Sequence, residues 1–121
     1  MSKEKPVVAV LDDEPQMRKA LRRLLSSHGI EVNDYARAEE LLDAVTACPA
    51  DCLVLDLHMP GLNGFDVLTA IASRRVPMPV ITITGHDTPD TRERVLTLGA
   101  AAYLLKPVDE SALLDAIRAA M

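Results

Sequence analysis

The sequence predicts an α/β fold: a five-stranded parallel sheet, doubly wound, with strands in the order 2-1-3-4-5. Three observations lead there. Short apolar runs alternate five times with stretches of helical periodicity over 121 residues. The connections between them are short. The first run, Val7-Val8-Ala9-Val10-Leu11, is apolar at every position, the form of a strand buried on both faces. Such alternation calls for a parallel sheet covered by helices on each side, and right-handed crossovers in an open sheet leave that strand order as the usual small solution. The length gives room for one domain, residues 1–121, and a domain of this size buries about two-thirds of the surface its unfolded chain exposes.

The elements follow in order. The first strand stops at Asp12-Asp13-Glu14-Pro15, where Pro15 is placed to open a helix. Met17, Ala20, Leu21, Leu24 and Leu25 recur at helical spacing until Gly29. Residues 30–35 form a weaker second strand, and Ala38, Leu41, Leu42 and Val45 mark a second helix ended by Cys48-Pro49. Cys52-Leu53-Val54-Leu55 is the third strand and ends in Asp56. A loop with Pro60, Gly61, Asn63 and Gly64 leads to a helix turning Phe65, Leu68, Ile71 and Ala72 inward. Val80-Ile81-Thr82-Ile83-Thr84 is the fourth strand. Thr88-Pro89 starts the next helix as cap and first turn, with Val95 and Leu98 facing in and Gly99 closing it. Ala102-Tyr103-Leu104-Leu105 is the fifth strand, stopped by Lys106-Pro107. Asp109 caps a last helix with Leu113, Leu114 and Ile117 on its buried stripe.

Composition narrows the function. Hydrophobic residues make up 49% but aromatics only 2%, being Tyr35, Tyr103 and Phe65, so the core is aliphatic. A stacking platform for single-stranded nucleic acid needs more aromatics. A net charge of −5 argues against direct binding to a phosphate backbone. The two cysteines, Cys48 and Cys52, bracket a proline at a loop-like place and have no partners at zinc-site spacing, so free thiols are expected. The first residues carry no apolar leader core, and no run is apolar enough to span a membrane. The expectation is a soluble, cytoplasmic protein.

In open α/β sheets the ligand crevice lies beyond the carboxyl ends of the strands, where the order reverses. That rule selects Asp12, Asp13 and Asp56, with Thr84 and Lys106 bordering the same crevice. Three converging carboxylates repel one another unless a cation sits among them, and an all-oxygen donor set suits a hard ion, Mg²⁺. A lysine across the crevice fits a phosphoryl group whose charge exceeds what Mg²⁺ cancels, and a threonine hydroxyl can donate to a phosphoryl oxygen. Together the parts describe phosphoryl transfer onto a carboxylate, with an aspartate as nucleophile. Each residue alone has an ordinary explanation: a helix-start acid pair, a loop carboxylate, a structural threonine, a solvated lysine. The combination at the ends of four strands is what points to chemistry.

The chain resembles a two-component response regulator receiver domain over essentially its whole length. The matching segments are Val10-Leu11-Asp12-Asp13-Glu14-Pro15, the loop Asp56-Leu57-His58-Met59-Pro60-Gly61-Leu62-Asn63-Gly64, Thr84-Gly85-His86, and Tyr103-Leu104-Leu105-Lys106-Pro107. The resemblance implies the flavodoxin-like receiver fold and a signalling switch rather than a metabolic enzyme. It implies catalytic roles for Asp56, Lys106 and Thr84, with Asp56 accepting the phosphoryl group from a sensor histidine kinase or phosphotransfer protein. Asp13 would bind Mg²⁺ directly and Asp12 largely through water, with Asp56 and the carbonyl of His58 completing the set. The Lys106–Pro107 bond would be cis. Thr84 would swing toward the phosphoryl group while Tyr103 moves inward behind it, and His58 and His86 occupy positions that help gate the attacking water.

Thr84-Gly85-His86 most resembles receivers attached to a C-terminal helix-turn-helix output domain, so the chain is expected to be either a single-domain receiver or one cut from a longer regulator. Few charges on the last helix beyond Asp115 and Arg118, with Thr91, Val95 and Ala101 nearby, lead to the expectation of a mostly apolar surface there for homodimerisation or partner docking. The competing functions are an aspartyl-phosphate phosphatase or phosphotransferase, and a scaffold regulating a partner without phosphorylation. Such phosphatases commonly place a second acid two residues after the nucleophile, where this chain has His58. A flavin module would want a phosphate-cradling loop where Asp12-Asp13-Glu14 stands.

Overall fold

The structure, a computed structural model, describes residues 5–57 and 64–121. Strands β1 (Val7–Leu11), β2 (Glu31–Tyr35), β3 (Cys52–Asp56), β4 (Val80–Thr84) and β5 (Ala102–Leu105) alternate with helices α1 (Pro15–Ser27), α2 (Ala38–Ala47), α3 (Gly64–Ser73), α4 (Pro89–Thr97) and α5 (Glu110–Ala120). The strands form one sheet in the order β2-β1-β3-β4-β5, parallel at every pairing, as the sequence predicts.

Two apolar layers hold the sheet. Val8, Val10, Val54, Ile81 and Ile83 point to one face, where Leu21 and Leu25 of α1 and Leu113, Leu114 and Ile117 of α5 meet them. Ala9, Leu11, Leu53 and Leu55 point to the other, covered by α2, α3 and Val95 of α4. Alternation along a strand sends neighbours to opposite faces, so an unbroken apolar run is what a sheet covered on both sides requires. Each fully buried Leu, Ile or Val contributes roughly 1.5–3 kcal/mol.

The helix ends follow their local signals. Thr88 accepts the Thr91 N–H at 3.0 Å and Asp109 accepts the Ala112 N–H at 2.8 Å, capping α4 and α5. Gly29 and Gly99 close α1 and α4 at φ +76° and +102°, where a side chain would be strained.

Some expectations on packing change. Ala20 and Ala72 are exposed; alanine has too little surface to fix which way a helix faces. Val67, between the stripe residues Phe65 and Leu68, is fully buried instead. Leu98 is only half-buried. Val95 has no exposure at all, as its inward place on that helix predicts, so it does not also line a docking surface. On α4, Asp90, Arg92, Glu93 and Arg94 are all exposed; Arg92 lies over Tyr103 of β5 and Arg94 over Phe65 of α3, so the surface beside β5 carries more charge than expected. Cys52 lies buried at the start of β3 while Cys48 is exposed, and both are free thiols. Among the described residues no helix is long and apolar enough to cross a membrane.

Candidate functional site

The parallel sheet brings the carboxyl ends of β1, β3, β4 and β5 to one edge. Asp12 and Asp13 follow β1, Asp56 is the last residue of β3, Thr84 the last of β4, and Lys106 the first after β5. Backbone bonds fix them there. The Asp12 N–H donates to the Tyr35 carbonyl at 3.2 Å, the Leu57 N–H to Ile83 at 3.0 Å, and the Lys106 N–H to Thr84 at 2.8 Å.

Asp12, Asp13 and Asp56 each offer a carboxylate oxygen to a group whose atoms lie within 4.8 Å of one another. Asp12 is 2% exposed and Asp56 5%, while Asp13 faces solvent. Lys106 Nζ stands between the two buried acids, 3.7 Å from Asp12 Oδ2 and 3.5 Å from Asp56 Oδ2. Burial raises the Asp12 pKa above the ordinary carboxylate range; the Glu14 N–H on its Oδ1 (2.9 Å) opposes this, and the nearby Asp56 charge adds to it. One ammonium does not balance three carboxylates, and the donors are all oxygen. The set therefore fits a hard divalent cation, which would relieve the repulsion.

Thr84 is fully buried, and its Oγ1 accepts the His86 N–H at 3.0 Å and donates to the His86 carbonyl at 3.3 Å. The hydroxyl is thus held by the start of the next loop. Tyr103 sits half-buried on the edge strand, with its hydroxyl on Asp87 at 2.8 Å and the Arg92 guanidinium 5.3 Å above its ring. The Lys106–Pro107 peptide is cis. His86 is exposed beside the crevice, and His58 lies outside the described residues.

Three neighbours went unread in the sequence. Arg18 Nη1 donates to the Asp12 carbonyl at 2.7 Å, and Asp87 and Arg92 hold Tyr103. In sequence each is an ordinary charge on a helix or loop, and only the fold brings it to its partner.

Chemically, the edge gathers a buried carboxylate in Asp56, an ammonium beside it, a buried hydroxyl and a group of three carboxylates that could hold a cation. That combination suits transfer of a phosphoryl group to an aspartate.

Residues 8–118 match the family described as Response regulator receiver domain. Nodulation protein W of Bradyrhizobium diazoefficiens is 39% identical over 116 residues, covering 96% of this chain and 51% of that protein. Transcriptional regulatory protein FixJ of Azorhizobium caulinodans is 37% identical over 114 residues, covering 94% and 54%. The chain therefore spans about half the length of these relatives. Among solved structures, a response regulator receiver protein from Burkholderia phymatum superposes with a TM-score of 0.84 at 41% identity, covering 96% of this chain and 94% of that one.

Proposed function

Because the chain belongs to the response regulator receiver domain family, the phosphorylation-activated switches of two-component signalling, we propose that residues 1–121 form one receiver whose phosphoacceptor is Asp56. The observation that carries this reading is Lys106 Nζ, 3.5 Å from Asp56 Oδ2 inside a cluster of three carboxylates. An Asp56 carboxylate oxygen attacks the phosphorus of a phosphohistidine on a sensor histidine kinase or phosphotransfer protein. The new P–O bond forms as the P–N bond breaks, and its electron pair returns to the imidazole. Asp12, Asp13, Asp56 and the His58 carbonyl would hold Mg²⁺, which supplies charge neutralisation for the transferring group. Lys106 pairs with the phosphoryl oxygens and the Thr84 hydroxyl turns from His86 to donate to one of them.

The donor's approach is favoured along an apolar groove of about 210 Å³ between α1 and α5, lined by Met17, Leu21, Leu24 and Val108. Lys106 lines that groove and also faces Asp56, so a helix seated there lies beside the acceptor. The relatives' greater length and FixJ's description as a transcriptional regulatory protein support a C-terminal DNA-binding output domain in the whole protein. Leu96 and Leu105, 49% and 42% exposed, are the apolar contacts that α4 and β5 offer to a homodimer. The setting is the cytoplasm, where the kinase's phosphohistidine is made.

Incubation with Mg²⁺ and acetyl phosphate should label Asp56 as an acid-stable, base-labile acyl phosphate, and Asp56→Asn should stay folded and unlabelled. Labelling that persists at another residue in that variant sinks the assignment.

A further inference from the structure

We propose that Arg18 is a positioning residue for the metal-binding carboxylates, acting from behind the acidic loop rather than within it. The proposal rests on the reading of Asp12, Asp13 and Asp56 as Mg²⁺ ligands.

The loop after β1 has a mechanical problem. It must keep Asp12 buried, with its carboxylate turned toward two other acids that repel it. The start of α1 does not hold it by the usual means, because the N-cap residue Glu14 makes no side-chain capping bond. The anchor comes from one turn further on. The Arg18 N–H donates to the Glu14 carbonyl at 3.1 Å, and the side chain turns back so that Nη1 donates to the Asp12 carbonyl at 2.7 Å. Its Nε lies 3.5 Å from Asp34 Oδ2 on β2, and Arg22 binds the other oxygen of that carboxylate. Asp34 stands opposite Val10 in the β1–β2 register, two residues before Asp12.

One planar guanidinium thus ties the end of β1 to the neighbouring strand, through an Nη1 hydrogen bond on one side and an Nε ion pair on the other, a geometry an ammonium cannot copy. With the Asp12 N–H on Tyr35 and Oδ1 on the Glu14 N–H, the Arg18 bond immobilises the Asp12 peptide and directs Oδ2 toward Lys106 and Asp56. Groups behind metal ligands orient them in this way, and their loss typically costs about 10–100-fold in metal affinity.

The sign of the effect separates positioning from charge. As a mere cation near the site, Arg18 would repel Mg²⁺, and Arg18→Met would bind the ion more tightly. As a positioning residue its loss weakens binding. Magnesium titration of the apo protein by calorimetry should show Arg18→Met weaker by about tenfold. Arg18→Lys, which keeps the charge but not the fork, should lie between, and Asp34→Asn should still weaken binding severalfold at about 1 M salt, where the loss of its own charge is screened. Melting curves give a second readout: a purely structural arginine lowers the midpoint equally with and without Mg²⁺, whereas a positioning one lowers it more with the ion present. A folded Arg18→Met with wild-type or tighter Mg²⁺ binding overturns the proposal. Should that variant not fold, wild-type affinity in both Arg18→Lys and Asp34→Asn does the same. A wild-type protein that binds no Mg²⁺ overturns this proposal and the metal reading together, while a wild type that binds beside unaffected variants overturns this proposal alone.

Discussion

Tyr103 donates its hydroxyl to Asp87 Oδ1 at 2.8 Å, and Arg92 completes the group from above the ring and 3.8 Å from Asp87 Oδ2. The tyrosine is thereby held at the rim of β5 by the loop before α4. Burial raises the phenol pKa, and the Asp87 hydrogen bond and charge raise it further. Asp87→Asn should lower it, as read by ultraviolet titration in a Tyr35→Phe background. Asp87→Ala, which removes the acceptor as well as the charge, should free the ring and tighten binding of a beryllofluoride phosphoryl mimic about fivefold, the scale of one exposed hydrogen bond. An unchanged tyrosine titration would show that Asp87 does not hold the ring in solution.

Asp12 should make the metal-free protein less stable as pH rises. Its folded pKa is raised above the ordinary 3.8, first by burial, so the folded state binds the proton more tightly than the unfolded state. Stability therefore falls as pH climbs from about 3.8 through the raised value, then levels off. Asp34, lowered chiefly by its bond to Arg22, acts in the opposite sense and loses its contribution as pH falls below the same ordinary value. The difference in unfolding free energy between wild type and Asp12→Asn isolates the Asp12 effect. The variant should be the more stable at neutral pH without Mg²⁺. It should lose most of the stabilisation, about 2.7 kcal/mol at a hundred times Kd, that Mg²⁺ gives the wild type.

Lys106→Met should move two affinities in opposite directions. Removing the ammonium between Asp12 and Asp56 leaves the cluster more negative. Mg²⁺ should then bind about tenfold more tightly, while the phosphoryl mimic at saturating Mg²⁺ should bind at least as much more weakly. Parallel changes in both would mean that Lys106 acts on the fold and not on the charge of the crevice.

Gly64→Ala should damage the start of α3. A Cβ there would stand 2.6 Å from Leu57 Cα, on the residue after Asp56, and backbone cannot move aside as a side-chain tip can. The Gly64 N–H also donates to the Leu57 carbonyl at 2.9 Å. Overpacking of this kind costs about 1–3 kcal/mol, measurable by urea unfolding, and should slow labelling of Asp56 as the two segments separate. Wild-type stability and labelling together would show that α3 can shift freely.

The two thiols should differ in reactivity. Burial pushes the Cys52 thiol up to about 12, whereas Cys48 is exposed at the end of α2. A chromogenic disulfide reagent at neutral pH should find one fast thiol in the native protein and two after denaturation. Two fast native thiols would place Cys52 outside the core.

The features legible in the sequence are local or follow from a rule of topology. Val7–Leu11 and Val80–Thr84 were readable to the residue because each apolar run ends at an acid or a glycine. Pro15, the Thr88-Pro89 pair and Asp109 mark helix starts whose orphan N–H groups they accommodate or satisfy. Once the elements alternate, chain connectivity sends every strand the same way, so Asp12, Asp56, Thr84 and Lys106 had to meet at one edge. The tertiary structure decided everything that depends on which helix lands where. It put α1 and α5 on one face and α2, α3 and α4 on the other, and left Ala20 and Ala72 in solvent. It also chose the partners of the charged side chains: Arg18 for the Asp12 carbonyl and Asp34, Asp87 for Tyr103. Periodicity carries the sign of burial along one element. It carries no information on contacts between elements, because a long polar side chain reaches several ångströms in directions set only when its neighbours are packed.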